Sequence, residues 1–153
     1  MSPTWVRSAC WHVLRIEVQG IVEHRGVVLR ALSAACRLCA ADPEGAAARD
    51  LRTRSLSAVG EAFNNIALHG YRDRAPGRVT LEIAVASGEL TVRLLDTGTS
   101  FDPRRAPPPD LGTMPEGGLG AFIIRSVVDG LDYAAGSANV LTLTILARQA
   151  SSA

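Results

Sequence analysis

Two runs of strict alternation, "RVTLEIAVA" (78–86) and "ELTVRLLD" (89–96), are separated only by Ser87 and Gly88. Alternation with period two sends every second side chain to one face of a pleated strand. A two-residue, glycine-containing connection between such runs closes an antiparallel hairpin. A lone hairpin is marginal in water, so its apolar face must be covered by other parts of the chain.

The flanking sequence supplies that cover. "HVLRIEV" (12–18) reads as a further strand, stopped by Gly20. From Ile21 to Ala40, the residues Val28, Leu32, Ala35, Cys36 and Cys39 fall on one helical face. "ADPEGAAARD" is a turn punctuated by Pro43 and Gly45. A second helix is predicted from about Ala47 to Tyr71, with Leu56, Val59, Phe63 and Ile66 on its apolar face and Gly70 ending it. "RDRAPG" is then an exposed connector. "TGTSFDPRRAPPPDLGTMPEGG" (97–118) is rich in glycine and proline and has no periodicity, as expected of a lid. "LGAFIIRSVVDGL" (119–131) reads as a helix opened by glycines, and "LDYAAG" and "NVLTLTILAR" as a closing antiparallel pair. The sequence shows no internal repeat and no linker. The pattern predicts an α+β fold: a two-layer sandwich with helices on one face of a mixed, mostly antiparallel sheet. It is expected to be a single domain over 1–153, with a core of about 12–147.

The totals narrow the function. The chain has 153 residues, is 47% hydrophobic and 20% charged, and carries a formal net charge of +1. That balance supports a packed core and provides no strong field for nucleic acid or a membrane surface. No apolar run approaches the roughly 20 residues of a membrane span, and the N-terminus lacks the apolar region of a signal peptide. Three cysteines argue against a disulfide framework and for a reducing, cytoplasmic setting. Cys36 and Cys39 form a C-x-x-C, but they share the apolar side of a helical pattern, and no second Cys or His pair completes a zinc site. They are read as core. Cys10 is isolated.

The polar residues of "EAFNNIALHGY" (61–71) sit apart from this apolar pattern. Glu61 and Asn65 are one turn apart on one helical face, with His69 a further turn on. Alone, such a stripe reads as a solvated flank. It is accompanied by "DTG" (96–98), a carboxylate directly after a strand that can accept from an exocyclic amine, with Gly98 giving close access to the backbone. It is also accompanied by "EGGLGAF" (116–122), where Gly117, Gly118 and Gly120 precede a helix and aim N–H groups at an anion such as phosphate.

In that order, "EAFNNIALHGY", "DTGTSFDP" and "EGGLGAFIIRSVVD" resemble the N, G1 and G2 boxes of the histidine-kinase-like (GHKL, Bergerat) ATPase fold. Histidine kinases, DNA gyrase, the ninety-kilodalton heat-shock chaperone and mismatch-repair MutL share this fold. Within it the chain resembles the anti-sigma-factor serine kinases of bacterial partner switching. The resemblance implies that Asn65 binds Mg2+ and bridges it to the phosphates of ATP, that Glu61 is the general base, and that Asp96 reads the adenine amino group. Gly98 would give that contact room. Gly118 and Gly120, with Gly117, would line the phosphates. Leu119, Ala121 and Phe122 would shape the pocket wall, and Phe101 would pack under the lid. Asn64 receives no role. The implied activity is a serine/threonine protein kinase that phosphorylates a small STAS-type anti-sigma-factor antagonist and sequesters a sigma factor, as a homodimer. The alternative is a nucleotide-binding adaptor without phosphoryl transfer.

Two positions and the lid depart from the family pattern. Ser100 stands at the third glycine position of the G1 box. Asn139 lies near where a threonine often supports the adenine pocket. The lid has no lysine, so Arg104 and Arg105 are its only cations from 97 to 116. They either meet the γ-phosphate or a partner, or merely solubilise a proline-rich loop. His69 is read as structural.

Overall fold

The computed structural model describes residues 12–110, 112 and 118–148. The elements run β1 (His12–Gln19), α1 (Arg25–Cys36), α2 (Ala46–Asn65), β2 (Arg78–Ala86), β3 (Glu89–Asp96), α3 (Leu119–Val127), β4 (Gly130–Ala134) and β5 (Asn139–Leu146). The strands form one sheet in the order β1-β2-β3-β5-β4. Every described pairing is antiparallel. The hairpin read from alternation has the expected boundaries. Its turn uses Gly88 at φ +72°, which glycine adopts without strain.

One face of the sheet carries the core. Val79, Leu81, Ile83 and Val85 of β2, Leu90, Val92 and Leu94 of β3, and Leu141, Leu143 and Ile145 of β5 share one buried cluster. Val28 and Leu32 of α1, Val59 and Phe63 of α2, and Ile124 of α3 close it from above. Each such side chain contributes about 1.5–3 kcal/mol when fully buried, so the helical layer is held chiefly by this apolar seam. No described helix is long and apolar enough to cross a membrane.

The first helical stretch starts as a 3-10 turn at Val22–His24, and α1 ends at Cys36. Cys39 lies beyond that end but is buried like Cys36, and both are free thiols. Burial pushes the Cys36 thiol up to about 11 and the Cys39 thiol up to about 12. At those values they are inert packing groups. Cys10 lies outside the described residues.

Two boundaries differ from the sequence reading. The second helix does not stay α-helical to Tyr71: it opens into a π-helical turn over Ile66–Gly70. That widened turn leaves Leu68 and His69 exposed and delivers Tyr71 inward. The Tyr71 ring occupies the space over two glycines. A Cβ at Gly20 would come within 2.6 Å of the ring and one at Gly77 within 2.8 Å of the hydroxyl. The third helix stops at Val127 rather than at 131. Val128 is extended, and the Asp129 amide donates to the Thr144 carbonyl at 2.9 Å. Gly130–Ala134 then joins the sheet edge beside β5, so cross-strand pairing prevails over the helical pattern.

A buried arginine fixes that change of direction. Arg54, on α2, donates from Nε to Asp50 at 2.8 Å and from Nη1 to Asp129 at 3.0 Å. It also donates to the Val127 and Leu146 carbonyls. One guanidinium thus joins the middle of α2 to the end of α3 and the end of β5.

Candidate nucleotide site

The three polar segments meet above the open end of the core. Asn65 closes α2, and Asp96 is the last residue of β3. With Ile66, Thr99, Phe101, Ile124, Tyr133 and others they line one cleft. Glu61 stands beside it, one turn before Asn65. A Cβ on Gly120 would approach Glu61 Oε2 to 2.8 Å and Asn65 Oδ1 to 3.7 Å. The start of α3 is thus close against the Glu61–Asn65 stripe, and a side chain there would displace the Glu61 carboxylate.

Asp96 is 7% exposed, yet it is an acceptor at the cleft wall. Its Oδ1 accepts from the Gly98 amide at 2.8 Å and from Asn139 Nδ2 at 3.1 Å. Burial raises the carboxyl above its usual range, and the bonds from Asn139 and Gly98 oppose that rise. The ionised form therefore costs folding free energy. Asp96 favours the fold most below its unfolded value, and this contribution is lost as pH rises through the raised folded value.

Gly98 has a different physical reason from the one expected. A Cβ there would lie 2.8 Å from the Gly70 carbonyl oxygen and 2.9 Å from its carbon. The constraint is backbone against backbone, and the neighbouring Thr99 amide donates to the same carbonyl at 2.8 Å. The Tyr71 hydroxyl accepts from the Thr97 amide at 3.1 Å. The end of the α2 segment and the start of the lid are thereby locked together. Gly98→Ala is expected to separate them and weaken nucleotide binding at least tenfold, while the thermal midpoint falls by only a few degrees. Titration with a fluorescent nucleotide and a melting curve check this, and unchanged binding would refute it.

Gly118 caps α3 at φ +91°, a left-handed conformation that favours glycine. The first amides of a helix have no partner within it, so those of α3 can face an anion. Gly117 lies outside the described residues. The expected wall from "LGAF" needs correction. Leu119 and Phe122 face outward at 48% and 40% exposure, and Ala121 is buried beneath the helix. The helical period sends 120, 121 and 124 inward, so Ile124 supplies the wall instead. Phe101 borders the cleft but stays 43% exposed rather than packed under a lid. Its amide donates to the Tyr133 hydroxyl at 3.0 Å.

The lid cations have separate fates. Arg104 forks onto Asp102 at 2.9 Å, reaches Asp132 at 3.1 Å and donates to the Tyr133 carbonyl. Its charge is engaged in holding the lid to β4. The same fork, opposed by some desolvation, holds the Asp102 carboxyl low. Arg105 is nearly fully exposed, with a single 3.9 Å approach to Asp102. His69 is exposed and meets Arg72 at 3.1 Å. Sequence reading missed Tyr133 and Arg125. Arg125 donates to the Pro103 and Ala106 carbonyls, both at 2.8 Å, and fastens the lid to α3. Nothing in the local pattern marks either residue, because their partners lie across the fold.

Among the described residues there is no group of three or more His, Cys, Asp or Glu that could hold a metal. Among the described residues, Asn65 and Glu61 would offer a hard cation their side-chain oxygens. That set suits Mg2+ sharing its shell with phosphate and water, and does not suit a tightly ligated transition metal.

A family model described as the histidine kinase-like ATPase domain matches residues 23–145. The chain is 35% identical over 102 residues to the serine-protein kinase RsbW of Listeria monocytogenes, covering 60% of this chain and 65% of that protein. It is 30% identical over 82 residues to the anti-sigma F factor of Clostridium botulinum, covering 49% and 55%. It is 28% identical over 95 residues to RsbW of Bacillus velezensis, covering 57% and 59%. The matched stretch spans less than two thirds of the length of these relatives.

Proposed function

As the chain belongs to the histidine kinase-like ATPase domain family, we propose that it is an ATP-dependent serine/threonine protein kinase that doubles as an anti-sigma factor. The observation that carries this reading is that Asn65 and Asp96 line a single cleft, with Glu61 and Gly120 set against each other beside Asn65. The names of its relatives, a serine-protein kinase and an anti-sigma factor, support it.

Each residue has a chemical task in this reading. Asp96, which lines the cleft, accepts from the adenine amino group. The amides following Gly118 receive phosphate oxygens at the positive end of α3. Asn65 offers an amide oxygen to Mg2+, which when bound neutralises phosphate charge. Glu61, next to the phosphate end, orients an incoming serine or threonine hydroxyl and takes its proton. The acceptor would belong to a small STAS-type antagonist, and the second partner would be a sigma factor. The chain would act as one domain and as a homodimer.

Incubation of the full chain with radiolabelled ATP, Mg2+ and small antagonist proteins from its own genome tests the proposal. Label on a serine or threonine of one antagonist is the expected result. Tight ATP binding with no label on any of them would overturn the kinase reading and leave a nucleotide-dependent adaptor.

A further inference from the structure

Residues 97–118 read from the sequence as a lid, yet the structure ties down the first half of that stretch. Thr99, Phe101 and Pro103 line the cleft at every second position, so one side of this segment forms its wall. The Thr99 amide donates to the Gly70 carbonyl at 2.8 Å, and the Phe101 amide to the Tyr133 hydroxyl at 3.0 Å. A turn follows, closed by the Arg105 amide on the Asp102 carbonyl at 3.1 Å. Two arginines hold this turn. Arg104 does so from within, through Asp102, Asp132 and the Tyr133 carbonyl. Its side chain is 44% exposed and that of Asp132 79%, so solvent screens this tie to β4. Arg125 holds the turn from α3. Its Nη1 gives its hydrogens to the Pro103 and Ala106 carbonyls, each at 2.8 Å and partly buried. Bonds from a charged donor are about twice as strong as neutral ones. Arg125 is therefore the firmer fastening, and it acts on Pro103, which is itself buried at the cleft. The preceding residue, Ile124, is buried in the same cleft.

We propose that Arg125 is a positioning residue that keeps residues 99–106 standing as a fixed wall of the cleft, and so sets how long a nucleotide stays bound. The inference rests on the nucleotide-site reading above. A nucleotide in the cleft packs against Thr99, Phe101 and Pro103. That wall is built before the nucleotide arrives, so binding does not have to order it. Without the two bonds from Arg125 the turn opens more often, and the bound nucleotide loses contacts on that side. The first encounter is unchanged, so the effect falls on dissociation. One helix thus serves the site twice: its glycine-rich start faces the phosphate end, and its Arg125 holds the opposite wall in place.

Trypsin cleavage of the full chain under native conditions reads the wall without any ligand. Arg104 and Arg105 are the tryptic sites between Arg93 and Arg125, and cutting there requires the turn to open. Arg125→Met keeps the apolar stem and removes the donors, whereas Arg125→Lys keeps the charge and a donor. Arg125→Met is expected to speed cleavage after residues 104 and 105 about tenfold, the scale of losing such bonds. Stopped flow with a fluorescent ATP analogue and Mg2+ should show dissociation faster by about tenfold and association within about twofold. Arg125→Lys is expected to fall between wild type and Arg125→Met in both measurements, and carries the comparison if Arg125→Met fails to fold. Equal acceleration of cleavage at the arginines of α2 would mark general unfolding and overturn the inference. Faster cleavage at the turn with unchanged dissociation would also overturn it, while the nucleotide site stands. A wild type that binds no nucleotide would remove the site reading and the inference together.

Discussion

Replacing Arg54 with alanine is expected to lower the unfolding free energy by about 3 kcal/mol, the usual cost of stranding the partners of a buried ion pair. The side chain is nearly buried, at 7% exposure, while Asp50 and Asp129 keep 44% and 25%. Truncation leaves the Val127 and Leu146 carbonyls without a donor and Asp129 with only its outer partners, the Leu146 amide and Arg148. The effect also has a pH signature. Burial raises the Asp129 carboxyl, but the Leu146 amide bond, the Arg54 bond and the charges of Arg54 and Arg148 outweigh it and hold it low. Its stabilising contribution is therefore full above the unfolded value and is lost as pH falls through the depressed folded value. Urea unfolding should show the gap between wild type and Arg54→Ala at neutral pH and a narrowing gap in acid, with the m-value unchanged. A loss under about 1 kcal/mol would show that solvent already screens the pairs.

Glu61→Gln is expected to lower phosphoryl transfer by about 10²- to 10⁴-fold, the usual contribution of a positioned general base. The amide keeps the size and hydrogen-bonding reach of the carboxylate, so packing against Gly120 persists and ATP affinity should stay within about threefold. Asn65→Ala should behave differently. Loss of the amide oxygen weakens Mg2+-dependent nucleotide binding as well as transfer. Single-turnover rates and nucleotide titrations on the same preparations separate the two. Wild-type transfer by Glu61→Gln would remove this residue from proton transfer and return the stripe to a solvated flank.

The legibility of the fold differs from element to element. The β2–β3 hairpin was readable because alternation and a two-residue turn are local facts, and no competing pattern covers 78–96. The buried faces at Val28, Leu32, Val59 and Phe63 were readable for the same reason, since helical periodicity is carried by neighbours three and four apart. The end of the third helix was not. Val127 and Val128 continue an apolar helical pattern, and only the backbone partner at Thr144 and the arginine at position 54 turn the chain into a strand. Glu61, Asn65 and Asp96 stand out in the sequence because polar groups interrupt an apolar pattern, and the fold brings Asn65 and Asp96 to one cleft. Leu119 and Phe122 were misread because a motif gives the order of residues and leaves the rotation of the helix open.

By itself the sequence determined the identity and order of the elements, the apolar face of each, and the polar groups that have no reason to be in a core. These rest on spacing within a single turn or strand. Only the tertiary structure decided what those groups meet. Gly98 is glycine because of a backbone 28 positions earlier at Gly70, Asn139 is satisfied by Ser100, and Arg54 is buried against residues 73, 75 and 92 positions away. Contacts across such separations exist only once the sheet has brought the segments together. No local pattern encodes them, because it is the register between strands that selects the partner.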